Sequence, residues 1–277
     1  MHTIAVANRK GGVGKSSVAT HLAAALGLQG LRVLVIDMDS QASTTSILLD
    51  EVADSALTTT QLLLGEARLP DLIQASTREG VSIAPASGDL TQAQFAIAGR
   101  TGRETILRRA LRDIGGSEVD GFDVALIDTA PELQLATLNA LVASSHVLLP
   151  FTPDPKALEG LETTCDAVAE IAAAELARPA ILGCVQVAYD RRLAVTDQSR
   201  RQVAAAYGPL LFDTCIRANS SFIVCPAWHR DIFAMEQKER GKHRGSADYR
   251  ALADEVAARL SLAARARSAP ARAQAAA

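Results

Sequence analysis

Apolar residues in this chain follow two alternating patterns. Short runs dense in aliphatic and β-branched residues occur at 4–7, 32–37, 81–84, 122–128, 146–151, 180–188 and 210–216. Between them, apolar positions recur at helical spacing over 14–28, 103–114, 133–143, 156–176, 196–207 and 247–266. Runs such as Val33-Leu34-Val35-Ile36 show no polar alternation, which suits strands buried on both faces. Strand–helix alternation predicts an α/β fold: a doubly wound, mostly parallel sheet with helices on both faces and ligands at the carboxyl ends of its strands. No repeat or linker interrupts the pattern, so residues 1–266 read as one domain. The remainder, 267–277, contains only Ala, Arg, Pro, Gln and Ser and reads as a disordered tail.

Composition narrows the class. With 277 residues, 48% hydrophobic and 21% charged, the balance is that of a soluble globular domain. No apolar run approaches the ~20 residues needed to span a bilayer. Met1-His2-Thr3 passes straight into the first expected strand, leaving no room there for a signal peptide or a DNA-reading domain. Cys165, Cys184, Cys215 and Cys225 have no C-x-x-C spacing and read as reduced, mostly core thiols of a cytoplasmic protein. The net charge of -3 conceals an asymmetry: from Tyr189 to Arg250, 11 Lys/Arg stand against 7 Asp/Glu, a local excess of +4. Such a segment suits a polyanion partner or simply a solvated arginine-rich surface.

The chemistry concentrates in Asn8-Arg9-Lys10-Gly11-Gly12-Val13-Gly14-Lys15-Ser16-Ser17, set between the first strand and the first helix. Gly-Lys-Ser in that setting binds phosphate: backbone N–H groups turn inward around the polyanion and the helix presents its positive end. Lys10 through Ser17 are therefore the candidate nucleotide contacts, with Lys15 reaching the β/γ-phosphates and Ser16 ligating Mg²⁺. Two further strands end in carboxylates, at Asp37-Met38-Asp39-Ser40-Gln41 and at Asp128-Thr129-Ala130-Pro131. Mg²⁺ takes oxygen ligands and keeps waters, so Asp37 and Asp128 join Ser16 as candidate metal groups. Either carboxylate alone also suits a helix cap or turn.

The usual P-loop has glycine where this chain has Arg9, and a second lysine follows at Lys10. K-G-G-V-G-K-S resembles the deviant Walker A motif of the ParA/MinD group of P-loop ATPases. D-M-D-S-Q resembles that group's Walker A′, with Ser40 in place of the usual Pro, and Asp128 with Thr129-Ala130-Pro131 resembles Walker B and its switch. The likeness extends through Thr137-Leu138-Asn139-Ala140-Leu141, Val147-Leu148-Leu149-Pro150, Ala157-Leu158-Glu159-Gly160-Leu161 and 249–256, roughly residues 3 to 260. It implies that Asp39 orients the attacking water, that Asp37 helps hold the Mg²⁺ shell, and that Lys10 reaches a partner chain's phosphates in an ATP-bound homodimer.

Gln41 favours the ParA branch. The resemblance then implies non-specific DNA binding, a ParB-like adaptor and release on hydrolysis, in a nucleoid-associated cytoplasmic protein without stable membrane association. A MinD-like membrane ATPase and a positioner of protein cargo remain alternatives. Ile216-Arg217-Ala218-Asn219 keeps the family's adenine-side Asn but has Arg217 for its Pro, so Asn219 is either an adenine contact or a helix N-cap. Lys242 and Arg244, then Arg217 and Arg240, are the candidate DNA contacts, with Arg191, Arg192, Arg200 and Arg201 as a second basic group.

Overall fold

A computed structural model describes residues 1–51, 53, 56–114, 121–239 and 244–262. The strands are β1 (His2–Val6), β2 (Val33–Met38), β3 (Gln74–Ala75), β4 (Val81–Ala84), β5 (Val124–Thr129), β6 (His146–Phe151), β7 (Ala180–Tyr189) and β8 (Leu211–Arg217). They form one sheet in the order β3-β4-β2-β5-β1-β6-β7-β8, parallel except for the β3–β4 pair. The helices are α1 (Lys15–Leu28), α2 (Ser43–Leu48), α3 (Thr59–Leu64), α4 (Leu69–Leu72), α5 (Leu90–Ala96), α6 (Ile106–Ile114), α7 (Leu135–Ala143), α8 (Ala157–Ala173), α9 (Ala194–Tyr207), α10 (Ser221–Val224), α11 (Ile232–Glu239) and α12 (Arg244–Arg259).

Alternation along each strand sends side chains to opposite faces. Ile4, Val35, Leu126 and Val185 meet α1, α11 and α12 on one face. Leu34, Ile36 and Ile127 meet α3 to α7 on the other, and Val147 and Leu149 meet α7, α8 and α9 beside them. Both faces are covered, which is why the strand sequences are apolar throughout. From β1 the chain crosses by α1 to β2, later inserts β5 between them, and lays β6 on the far side of β1. That reversal opens a crevice at the carboxyl ends of β1, β2 and β5.

The doubly wound architecture is as expected, with most boundaries moved by a residue or two. The 103–114 helix opens with a 3₁₀ turn, Arg103–Thr105, before α6. The apolar pattern misses β3, α2 to α5, α10 and α11, because segments this short carry too few periods to read. The last helix begins at Arg244 rather than 247. Arg240, Lys242 and the expected tail 267–277 lie outside the described residues.

Candidate functional site

Between β1 and α1 the chain turns sharply, with Gly14 in the left-handed region (φ 77) immediately before the helix. A residue with a Cβ is strained there. No side-chain oxygen caps α1, so the first-turn amides of Lys15, Ser16 and Ser17 stay available to an anion. Asn8 fixes the loop's start: its Nδ2 donates to the Pro150 carbonyl at 2.8 Å, and its Oδ1 accepts from the Lys10 amide at 2.8 Å. Lys15 is buried, and its Nζ donates to the Lys10 carbonyl at 3.4 Å. Burial lowers its pKa, while the Asp128 and Asp39 carboxylates oppose that shift. A buried ammonium beside an uncapped helix start is placed to meet an anion.

The facing wall is acidic. Asp37 and Asp128 are register neighbours on β2 and β5, and both are fully buried. Asp37 accepts from the Asp39 amide (3.1 Å), the Thr45 amide (2.9 Å) and the Thr45 hydroxyl (2.7 Å). Burial, reinforced by repulsion from Asp128, pushes its pKa up to about 7. Asp128 Oδ2 accepts from the Thr44 hydroxyl at 2.7 Å, while its buried Oδ1 has no hydrogen-bond partner. Burial raises the Asp128 pKa to about 6, against the stabilising Thr44 and Ser16 hydroxyls beside it. A buried carboxylate oxygen without a donor, next to a serine hydroxyl, fits a cation such as Mg²⁺. No group of three or more His, Cys, Asp or Glu side chains among the described residues forms a metal site alone. An ion that keeps waters and phosphate oxygens needs none.

From the glycine loop a cavity of about 590 Å³ extends to the ends of β7 and β8, lined by Gly12, Ser17, Val187, Ile216, Phe222 and Tyr249. Ser17 Oγ and the Tyr249 hydroxyl lie 3.2 Å apart in its wall. The cavity is mostly apolar and continuous with the phosphate turn, which suits a nucleotide base.

Comparison with known proteins agrees with this geometry. A family model described as "AAA domain" matches residues 1–179. The chromosome-partitioning ATPase Soj of Thermus thermophilus is 36% identical over 257 residues, 93% of this chain and 96% of Soj. The chain belongs to the ParA/Soj family of P-loop ATPases. Among solved structures, an ATP complex of a Cyanothece McdA variant shares the fold, with a TM-score of 0.82 at 20% identity over 96% of this chain and 99% of McdA. Cobyrinic acid a,c-diamide synthase from Mycobacterium smegmatis, with bound ATP analogue and magnesium, has a TM-score of 0.77 at 29% identity over 92% and 93% of the two chains.

The remaining residues expected of this family are placed unevenly. Asp39 sits at the end of β2, its Oδ1 accepting from the Gln41 amide at 3.0 Å. Lys10 is turned to its own chain, 2.8 Å from Asp154 Oδ1. The start of α8 lies against the same loop: a Cβ on Gly160 would stand 2.9 Å from Asn8 Oδ1 and 3.3 Å from Lys10 Cβ. Asn219 lines the cavity and its Oδ1 accepts from the Ser221 amide at 2.9 Å, while Ser220 holds the N-cap position of α10 without a side-chain bond. Arg217 is not a free DNA contact: its Nε and Nη2 bind both oxygens of Asp248, and Nη2 also reaches the Arg244 carbonyl. Arg244 is exposed at the start of α12. Arg200 donates to the Phe212 and Asp213 carbonyls, and Arg192 pairs with Asp190. Thr44 and Thr45, which bond Asp128 and Asp37, belong to none of the motifs read in the sequence. Their only sequence signal is Ser43-Thr44-Thr45 directly after the acidic strand end.

Proposed function

We propose that this ATPase binds Mg²⁺–ATP in the glycine turn, closes face to face with a second copy, and in that state holds DNA without reading its sequence. The observation that carries the reading is the buried Lys15 at an uncapped helix start, opposite a buried carboxylate with an unpartnered oxygen. The turn's amides and Lys15 hold the phosphates, and the cavity beside Val187 and Tyr249 takes the base. Ser16 and Asp128 hold the Mg²⁺, and Asp37, its oxygens occupied by Asp39 and Thr45, supports that shell from behind. The bound Mg²⁺ supplies charge neutralisation at the phosphates. Asp39 orients the water that attacks.

Lys10 leaves Asp154 on dimer closure and reaches the partner's phosphates, where a cation supplied in trans stabilises the charge of phosphoryl transfer. The dimer pools two basic surfaces, which raises affinity for DNA phosphates without contacts to base edges. Arg244 contributes to that surface, with Arg217, held by Asp248, acting only at its edge. Hydrolysis, stimulated by a ParB-like adaptor, releases the DNA. The Soj relative's name supports a role in chromosome partitioning. No helix among the described residues is long and apolar enough to cross a membrane.

Gel shifts on two unrelated DNA duplexes, with ATP, ADP or no nucleotide, test the reading. It requires Mg²⁺–ATP-dependent retardation, equal for both duplexes and weakened by salt. No retardation at low salt, with binding to anionic vesicles instead, would replace it with a membrane-positioning role.

A further inference from the structure

Residues 222–231 join the two ends of the nucleotide site. At one end Phe222 and Ile223 line the base cavity. At the other, His229 Nδ1 donates to the Ser46 carbonyl at 2.6 Å, which fixes the ring proton on Nδ1. Ser46 belongs to α2, the same helix whose Thr44 and Thr45 hold Asp128 and Asp37. The far end of α2 is tied as well, since Ser76 Oγ donates to the Leu48 carbonyl at 2.8 Å. Two residues on, Arg78 donates to the His229 carbonyl at 3.3 Å and forms an ion pair with the buried Asp231. Asp231 accepts from the Phe233 and Ala234 amides, capping α11. The 76–78 turn, α2 and residues 229–234 are thus one hydrogen-bonded block. Arg78 and Asp231 resist separation, because parting them leaves a buried charge unpaired.

The segment also carries exposed apolar side chains: Ile223, at the cavity mouth, is 80% exposed, Trp228 48% and Val224 37%. His229 adopts φ 49, a left-handed conformation uncommon for a residue other than glycine, which its contacts on both sides hold in place. A change at the carboxylates therefore has a continuous mechanical route to an exposed apolar face.

We propose that this block is a nucleotide-state relay. Filling the Mg²⁺ and γ-phosphate end repositions Thr44 and Thr45, α2 follows, and the Ser46–His229 bond moves the segment bearing Trp228. The outward face of Ile223, Val224 and Trp228 then has two arrangements, selected by which nucleotide is bound. This inference rests on the Mg²⁺–ATP reading above. ADP and ATP share the base contacts at Phe222 and Ile223, so a difference between them isolates the α2 route from the direct one.

Trp228 is the chain's single tryptophan, so its emission reports this segment alone. Emission spectra are recorded for the wild type with Mg²⁺ and saturating ADP or a non-hydrolysable ATP analogue. Occupancy is measured in parallel by displacement of a fluorescent ATP analogue. The relay predicts a Trp228 shift with the ATP analogue beyond that with ADP. His229→Ala should keep nucleotide affinity and lose that difference. His229→Asn, which retains a donor and tolerates the left-handed backbone, should recover part of it. Identical spectra for the two bound nucleotides would overturn the relay. So would a full difference in His229→Ala, since burial of Trp228 by dimerisation alone survives that substitution. Absence of nucleotide binding by the wild type would overturn the ATP reading and the relay with it.

Discussion

The carboxyl ends of β2 and β5 beside the glycine turn, and the cavity rim formed by β7, β8, α10 and α12, meet at the same loop yet are built differently. At the centre, functional side chains are buried and held from several sides, as Asp37 is by three donors and Asn8 by two partners. At the rim, Ile223 and Trp228 are exposed and, among the described residues, Asn219 Oδ1 accepts a bond only from the Ser221 amide two residues on. Phosphate and metal demand fixed geometry, because charge in a low-dielectric site is strong when placed well and costly when not. A base in an apolar cavity needs mainly shape, so the rim can vary in sequence.

Lys15→Ala attacks the centre and should have the largest effect. It removes the buried cation facing the phosphates, and ATP affinity should fall by about 100-fold, as loss of one partner of a buried charge pair costs about 2–5 kcal/mol. Titration with a fluorescent ATP analogue measures it. Affinity within a few-fold of wild type would move the phosphates away from this turn.

Gly160→Ala strikes the centre from outside its motifs. The added methyl meets Asn8 Oδ1 at 2.9 Å, displacing the side chain that ties the loop to β6. Overpacking of this kind costs about 1–3 kcal/mol, readable as a lowered urea midpoint. ATP affinity should fall alongside it. Unchanged stability with unchanged affinity would show that α8 does not support the loop.

How much of this is legible in the sequence follows the same division. The glycine turn and the two acidic strand ends are contiguous motifs on strongly apolar strands, so residue order alone located them. Thr44 and Thr45 are not legible in the sequence because α2 has only 6 residues and their partners are fixed by sheet register. The Lys10–Asp154 and Arg217–Asp248 pairs join residues far apart in sequence, and no local pattern announces them. Asn219 reads as cap or adenine contact in the sequence, and its place in the cavity wall with Oδ1 on the Ser221 amide fits both.

The paired carboxylates give the centre a pH signature. Burial, with repulsion from Asp128, holds Asp37 up to about 7, so the folded chain retains a proton that the unfolded chain releases near pH ~4. The contribution to stability from this group therefore falls as pH rises from about 4 to about 7. Asp37→Asn is neutral at every pH and escapes that loss. The Tm of Asp37→Asn minus that of the wild type should grow across this window and level off above it. A flat difference would mean that Asp37 is already ionised at the acid end.

At the rim the expected effects are small. Arg244→Ala should lower the slope of log DNA affinity against log salt by about one unit per bound chain, without changing nucleotide affinity. An unchanged slope would shift the DNA face towards Arg191 and Arg201.

In the proposed cycle two chains close over Mg²⁺–ATP, with Asp39 needed for hydrolysis but not for closure. Sedimentation velocity of Asp39→Ala tests this most directly. With Mg²⁺ and ATP the variant should run as a persistent dimer, and with ADP as a monomer. A variant that stays monomeric with ATP, while still binding it, would contradict the account.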